Sequence, residues 1–237
     1  MRLIVLFKHK KHIFFDLDHT LWDFESNAEE SLKEIYDDFS ISKLGPSFGN
    51  FYQNFSKLNR LLWTQLEQEI ITHETIRMFR FQKALSSLNV EIDKEQSIAM
   101  NLKFLDLLPN KTKLIDGCQE TLEALQAKYQ LHILSNGYAE VQAKKLEHSG
   151  IKGYFQHIIT NDIAASRKPN VGIFNYALEK SNSQASQSLM IGDSYLADIL
   201  GAKNAGWDTV HFQPSGIDTE NQSTLKITKL VQLLDHL

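Results

Sequence analysis

The sequence predicts an α/β protein: a parallel sheet covered by helices on both faces, interrupted near its start by a helical insert. Three observations predict it. After Asp116-Gly117, short apolar runs alternate with helical patterns, the order that builds parallel sheets from strand-helix units. From about Phe24 to Asp106 the apolar residues recur at helical spacing, and no strand pattern is convincing. Four polar loops then follow the apolar runs, where an open parallel sheet collects its ligands.

Taken in order, Ile13 to Leu17 reads as a short buried strand that carries Asp16 into a polar loop. In the insert, Phe51, Phe55, Leu58, Leu62 and Leu66 form one helical stripe, Ile76, Phe79 and Lys83 a second, and Ile98, Leu102 and Leu105 a third. Gly45-Pro46 and Gly49 punctuate an early loop, and Asp93 with Gln96 has the spacing of a capping box. Downstream come a helix around Thr121 to Lys128, a strand Leu131 to Leu134, a helix Ala139 to His148 and a strand His157 to Thr160. A helix Val171 to Glu179, a strand Leu189 to Ile191, a helix Tyr195 to Asn204 and a strand Thr209 to Phe212 complete the series.

Composition narrows the classes of function. A chain of 237 residues, 42% hydrophobic and 23% charged, is long enough for one large or two small folded domains. The net charge of -4 offers no basic surplus for nucleic acid or anionic membranes, so phosphate recognition must be local. The single cysteine, Cys118, is a weak nucleophile candidate and fits a reducing, cytoplasmic compartment. The opening run Leu3 to Phe7 is too short for a signal-peptide core or a membrane span, which predicts neither export nor anchoring. Without a heptad stripe, the chain is expected to be monomeric.

The loops are polar in a particular way. Asp16-Leu17-Asp18-His19-Thr20 puts two carboxylates at the end of a buried strand, where repulsion and desolvation penalise both unless a hard divalent cation relieves them. Ile191-Gly192-Asp193-Ser194, followed by Asp198, brings a second acidic loop to another strand end. Ser135-Asn136-Gly137 offers hydroxyl, amide and backbone donors suited to phosphate oxygens, and Lys168 before Pro169 supplies a cation. Singly, each has a plainer explanation: an aspartate-rich turn, a helix cap, an ordinary turn, a surface lysine. Four in succession along an alternating α/β pattern are harder to explain by structure alone.

Together these four segments, the last including Asp198, resemble the motifs of the haloacid dehalogenase superfamily. The resemblance implies a three-layer Rossmann-like core over residues 1-23 and 107-237, with a helical-bundle cap domain over residues 24-106. It implies Asp16 as nucleophile, Asp18 as acid and base, and Lys168 as the catalytic cation. It assigns Mg²⁺ to Asp16, Asp18 through its backbone carbonyl, and Asp193, with Asp198 supporting the metal shell. It assigns phosphate binding to Thr20, Ser135, Asn136 and Lys168. An acid at Asp18 favours phosphoryl transfer over dehalogenation, because a halide leaves without a proton. His19 stands where many relatives carry Gly, and Asn161-Asp162 where relatives often carry two glutamates.

In the insert, Leu62-Trp63, Glu69-Ile70-Ile71-Thr72 and Arg80-Phe81 resemble the cap of bacterial 5'-nucleotidases for pyrimidine nucleotides. That likeness makes Trp63 and Arg80 candidate substrate contacts, and a small phosphorylated metabolite such as a nucleoside monophosphate the expected partner. Taken singly, Trp63 and Phe81 read more readily as bundle core. The alternatives are a sugar-phosphate or phosphoglycolate phosphatase, a phosphomutase, and a regulatory protein that binds phosphorylated ligands without turnover.

Overall fold

In a computed structural model of the chain, residues 6-216 and 222-237 are described; most of the opening apolar run lies outside them. The chain divides into two compact units, residues 24-111 and residues 1-23 with 112-237. No helix among the described residues is long and apolar enough to cross a membrane.

The unit 24-111 is all helical: α1 (Phe24–Asp38), α2 (Phe48–Glu67), α3 (His73–Ser86) and α4 (Lys94–Leu107). Helix starts follow side-chain chemistry. Ser47 and Thr72 accept from the backbone N–H three residues on, and Asp93 with Gln96 completes the capping box read from the sequence. The α2 stripe buries Phe51, Phe55, Leu62 and Leu66, as its spacing predicts, with Leu58 half-buried.

The other two stripes are corrected. α3 buries Ile76, Arg80, Phe81, Ala84 and Leu85 and leaves Lys83 exposed, while α4 buries Ser97, Met100, Asn101 and Phe104 and leaves Leu102 54% exposed. Apolar periodicity fails here because the interior is partly polar. Arg80 donates to Asn59 Oδ1 at 3.0 Å and Asn101 Oδ1 at 2.6 Å, with its guanidinium carbon 4.7 Å from the Phe104 ring centre. Ser97 Oγ accepts from the Gln82 backbone at 3.1 Å. The compact unit also extends past the expected boundary, since Leu108 and Pro109 are buried and Lys111 pairs with Glu34 at 2.6 Å.

Arg80 is therefore a core residue of its unit, 4% exposed, rather than a side chain offered to a substrate. Arg80→Met should destabilise this unit by roughly 2–4 kcal/mol, because it orphans two buried amide oxygens. Denaturant unfolding measures that loss. A substrate contact would instead raise KM and leave stability unchanged. Trp63, half-buried, packs on Leu62, Leu66 and Ile76 and meets the His73 ring edge-on.

In the other unit six parallel strands form one sheet: β1 (His12–Phe15), β2 (Gln130–Ser135), β3 (Phe155–Thr160), β4 (Ser188–Gly192), β5 (Asp208–Phe212) and β6 (Leu225–Ile227), in the order β3-β2-β1-β4-β5-β6. The central strand β1 is buried throughout, flanked by β2 and β4. Its connections run through α5 (Cys118–Gln126), α6 (Ala139–His148), the short α7 (Asn161–Ala164) and α8 (Val171–Ser181). On one side Phe14, Leu134, Ile159 and Met190 pack with Ile173, Phe174 and Ala177 of α8 and with Trp207.

Three details depart from the sequence reading. The helix expected from Tyr195 to Asn204 opens as a π-helical segment, Tyr195–Leu200, before α9 (Gly201–Asn204). β6 and a terminal 3-10 helix (Leu230–Asp235) were not foreseen, because three residues of strand carry no usable alternation. The sequence reading assigned no element to residues 1-11, yet their described part is anchored: Phe7 is buried, Lys10 Nζ reaches Ser186 O at 2.8 Å, and Lys11 N donates to Gln187 O at 2.9 Å.

Candidate active site

The loops after β1, β2 and β4 lie at neighbouring strand ends, because these three strands are adjacent in the sheet. Asp16 follows β1 and its backbone N–H donates to Ile191 O of β4 at 2.9 Å, which fixes the start of the loop. Leu17 O then accepts from the N–H of Leu21 and Trp22, both at 2.9 Å, and closes a tight turn. His19 sits in this turn at φ 63, left-handed backbone that suits glycine.

Lys168 is the hub. Its buried ammonium donates to Asp16 Oδ1 at 2.7 Å, Asp198 Oδ1 at 2.6 Å and Leu134 O at 2.6 Å, which uses all three of its N–H bonds. The sequence expectation that Lys168 follows a strand directly is corrected, since α7 intervenes after β3. Asn136 instead holds Lys168 in place: its amide accepts from Lys168 N at 2.8 Å and donates to Lys168 O at 2.9 Å. Asn136 is thereby committed to the backbone of Lys168 rather than presented as a phosphate donor.

Asp198 is 1% exposed, and its second oxygen accepts from Ser194 N at 3.0 Å. The approach needs Gly192, where a Cβ would lie 2.1 Å from Asp198 Oδ2. Thr20, fully buried, donates to Asp193 Oδ1 at 3.3 Å; it orients an acidic side chain rather than facing a phosphate. Carboxylate oxygens of Asp16, Asp193 and Asp198 lie within 4.8 Å of one another.

Three ionised carboxylates around one ammonium leave an excess of negative charge in a dry place. Burial pushes Asp16 up to about 7, with Lys168 opposing and Asp198 adding to the rise. Asp193 is pushed up to about 7 by burial and the Asp16 charge, and burial also raises Asp198. Burial works against the Lys168 charge, but the two carboxylates beside it hold its pKa above the ordinary lysine value. A divalent cation is the complement of this arrangement. Lys168 takes one oxygen of Asp16 and Thr20 one of Asp193, so the residues present fit a hard cation that binds oxygen.

Asp18 does not join that cluster through its side chain. Its Oδ1 accepts from Lys145 Nζ at 2.5 Å and its Oδ2 from Gln142 Nε2 at 2.9 Å. Burial would raise its pKa, but Lys145 and then Gln142 outweigh burial and hold it below the usual carboxylate range. Gln142 and Lys145 were missed from the sequence, where the helix Ala139 to His148 carries no site residue. The available signal was position: α6 begins just after the Ser135-Asn136-Gly137 loop, so its first turns stay near the strand ends.

Ser135, 2% exposed, accepts from Gly137 N at 3.1 Å and from Gln142 Nε2 at 2.8 Å, which leaves its hydroxyl hydrogen to donate. Cys118 is buried away from this chemistry and burial pushes its thiol up to about 12, consistent with an inert structural residue.

The model of the haloacid dehalogenase-like hydrolases matches residues 10–206, a span that includes every one of these loops. The chain belongs to that family. As a haloacid dehalogenase-like hydrolase it is 32% identical to the pyrimidine 5'-nucleotidase YjjG of Escherichia coli over 86% of this chain and 89% of that protein. It is 28% identical to the pyrimidine 5'-nucleotidase PynA of Streptococcus pneumoniae over 95% and 94% of the two chains. Among solved structures, the putative hydrolase YfnB of Bacillus subtilis, in a magnesium-bound crystal form, superposes with a TM-score of 0.86 at 30% identity, covering 95% of this chain and 97% of that one.

Proposed function

We propose that this hydrolase is a Mg²⁺-dependent phosphomonoesterase that works through an aspartyl phosphate on Asp16 and acts on nucleoside 5'-monophosphates, pyrimidine ones foremost. The observation that carries this reading is the cluster of Asp16, Asp193 and Asp198 around Lys168, beside an independently held Asp18. The nucleotide preference rests on the two nucleotidase relatives.

In this reading one Asp16 oxygen attacks phosphorus in line, and the bond from phosphorus to the ester oxygen breaks. The leaving oxygen takes a proton from Asp18. Resting ionised against Lys145, Asp18 must first acquire that proton; an arriving phosphate dianion favours this by raising its pKa. Asp18 then takes a proton from water as the water attacks phosphorus, which releases Asp16 and inorganic phosphate. Ser135 and adjacent backbone N–H groups bind phosphoryl oxygens, and Lys168 holds Asp16 and Asp198 in register. Mg²⁺, held by Asp16, Asp193 and the Asp18 carbonyl with Asp198 behind them, would supply charge neutralisation at the transferring phosphoryl group. The unit 1-23 with 112-237 thus carries the chemistry.

Phosphate release from nucleoside monophosphates, sugar phosphates and phosphoglycolate, with Mg²⁺ and with chelator, tests the proposal. Metal-dependent release with the highest kcat/KM on pyrimidine nucleotides is expected. Activity confined to sugar phosphates would contradict the substrate assignment, and no release from any ester would contradict the reaction.

A further inference from the structure

Asp18 is held by a built device. One oxygen meets Lys145, whose side chain is 3% exposed and whose ammonium lies 4.4 Å from the Trp22 ring centre; the other meets Gln142, itself fully buried. The two donors stand three residues apart on α6, one face of one rigid element, so they reach the two oxygens of a single carboxylate together. Gln142 does more, since the same Nε2 donates to Asp18 and to Ser135. One amide group thereby couples the loop after β1 to the loop after β2.

The neighbourhood accommodates this. Gly137 leaves the space, because a Cβ there would fall 2.5 Å from the Gln142 amide. The N-terminus of α6 is pinned through Ala139 N, which donates to Asp162 Oδ2 at 3.2 Å. Asp162 is in turn hydrogen-bonded by Thr160 at the end of β3. Asp162 thus anchors the start of α6.

We propose that Lys145 and Gln142 are the positioning residues that aim the Asp18 carboxylate at the leaving-group oxygen, and that Gln142 sets the spacing between that oxygen and the phosphoryl site at Ser135. The inference rests on Asp18 acting as the acid of the proposed reaction. Aim matters only when a proton must be delivered. An alkyl ester such as a nucleoside monophosphate expels a basic oxygen and needs the proton, whereas p-nitrophenyl phosphate expels a phenolate that leaves without one.

The test measures first-turnover release of the leaving group from both esters, for wild type, Lys145→Met, Lys145→Arg, Gln142→Leu and Asp18→Asn, each checked for folding by circular dichroism and melting. Lys145→Met and Gln142→Leu should lower the nucleoside-to-nitrophenol rate ratio by about tenfold or more, a share of the factor that general acids supply. Lys145→Arg should recover much of that ratio. Equal losses on both esters, or no change in the ratio, would overturn the proposal and leave the two residues structural. If Asp18→Asn itself fails to lower the ratio, the acid role of Asp18 falls and the inference falls with it. A selective effect in Asp18→Asn with none in Lys145→Met or Gln142→Leu defeats the inference alone.

Discussion

Asp16→Asn should cost at least about 10⁴-fold in turnover, and yet melt higher than the wild type in chelator at pH 8. The loss follows from removing the nucleophile. The stability gain follows from electrostatics: in the metal-free fold Asp16 shares one ammonium with Asp198 and lies close to the Asp193 carboxylate as well. Its folded pKa, about 7, lies above its ordinary value of 3.8, so its contribution to stability is present in acid and is lost as pH rises through that window. Above it, the ionised side chain destabilises the metal-free protein by an amount on the order of a few kcal/mol, which the neutral amide removes. Melting curves with chelator at pH 4 and pH 8 check the sign, with the variant's advantage expected only at the higher pH. Adding Mg²⁺ should then stabilise the wild type more than the variant, because a cation that binds only the folded state is held better by the fuller ligand set.

Lys168→Met is expected to move stability the other way. Its ammonium is the shared partner of Asp16 and Asp198 and also ties down Leu134 O. Removal leaves buried carboxylates facing one another, and breaking a buried pair in this way costs about 3–5 kcal/mol. The metal-free variant should unfold at a markedly lower denaturant midpoint, and Mg²⁺ should restore a larger fraction of its stability than of the wild type's. Turnover should also collapse, since Asp16 loses the contact that fixes its attacking geometry. A variant as stable as the wild type in chelator would mean that Lys168 is not the charge balancing this cluster.

These opposite expectations depend on residues that the sequence had singled out. Asp16, Ser135 and Asp193 were legible because parallel sheets put their chemistry where apolar strands give way to polar loops, and such transitions survive in a linear sequence. Their division of labour was less legible. The family resemblance assigns phosphate binding to Thr20 and Asn136, and only folding shows that one turns to Asp193 and the other to the backbone of Lys168.

Gln142 and Lys145 were invisible for a related reason. A buried polar face and a solvated polar face have the same pattern along a helix, and what separates them is a partner such as Asp18, distant in sequence. The same blindness misassigned the stripes of α3 and α4, where Arg80, Asn59 and Asn101 occupy an interior that periodicity reserves for apolar side chains. Where the stripe itself was apolar, as at Phe51, Phe55, Leu62 and Leu66 of α2, and in placing the strands β1, β2 and β4, the sequence reading and the structure agree closely.

Covalent trapping shows whether the phosphoryl group passes through Asp16. Asp18→Asn, which lacks the base for the second step, would be mixed with p-nitrophenyl phosphate and Mg²⁺, quenched in acid, and mapped by mass spectrometry. That passage is expected to leave a phosphoryl adduct on the peptide carrying Asp16, at near one equivalent and absent from the Asp16→Asn, Asp18→Asn double variant. An adduct on another residue, or nitrophenol released with no adduct at all, would contradict it.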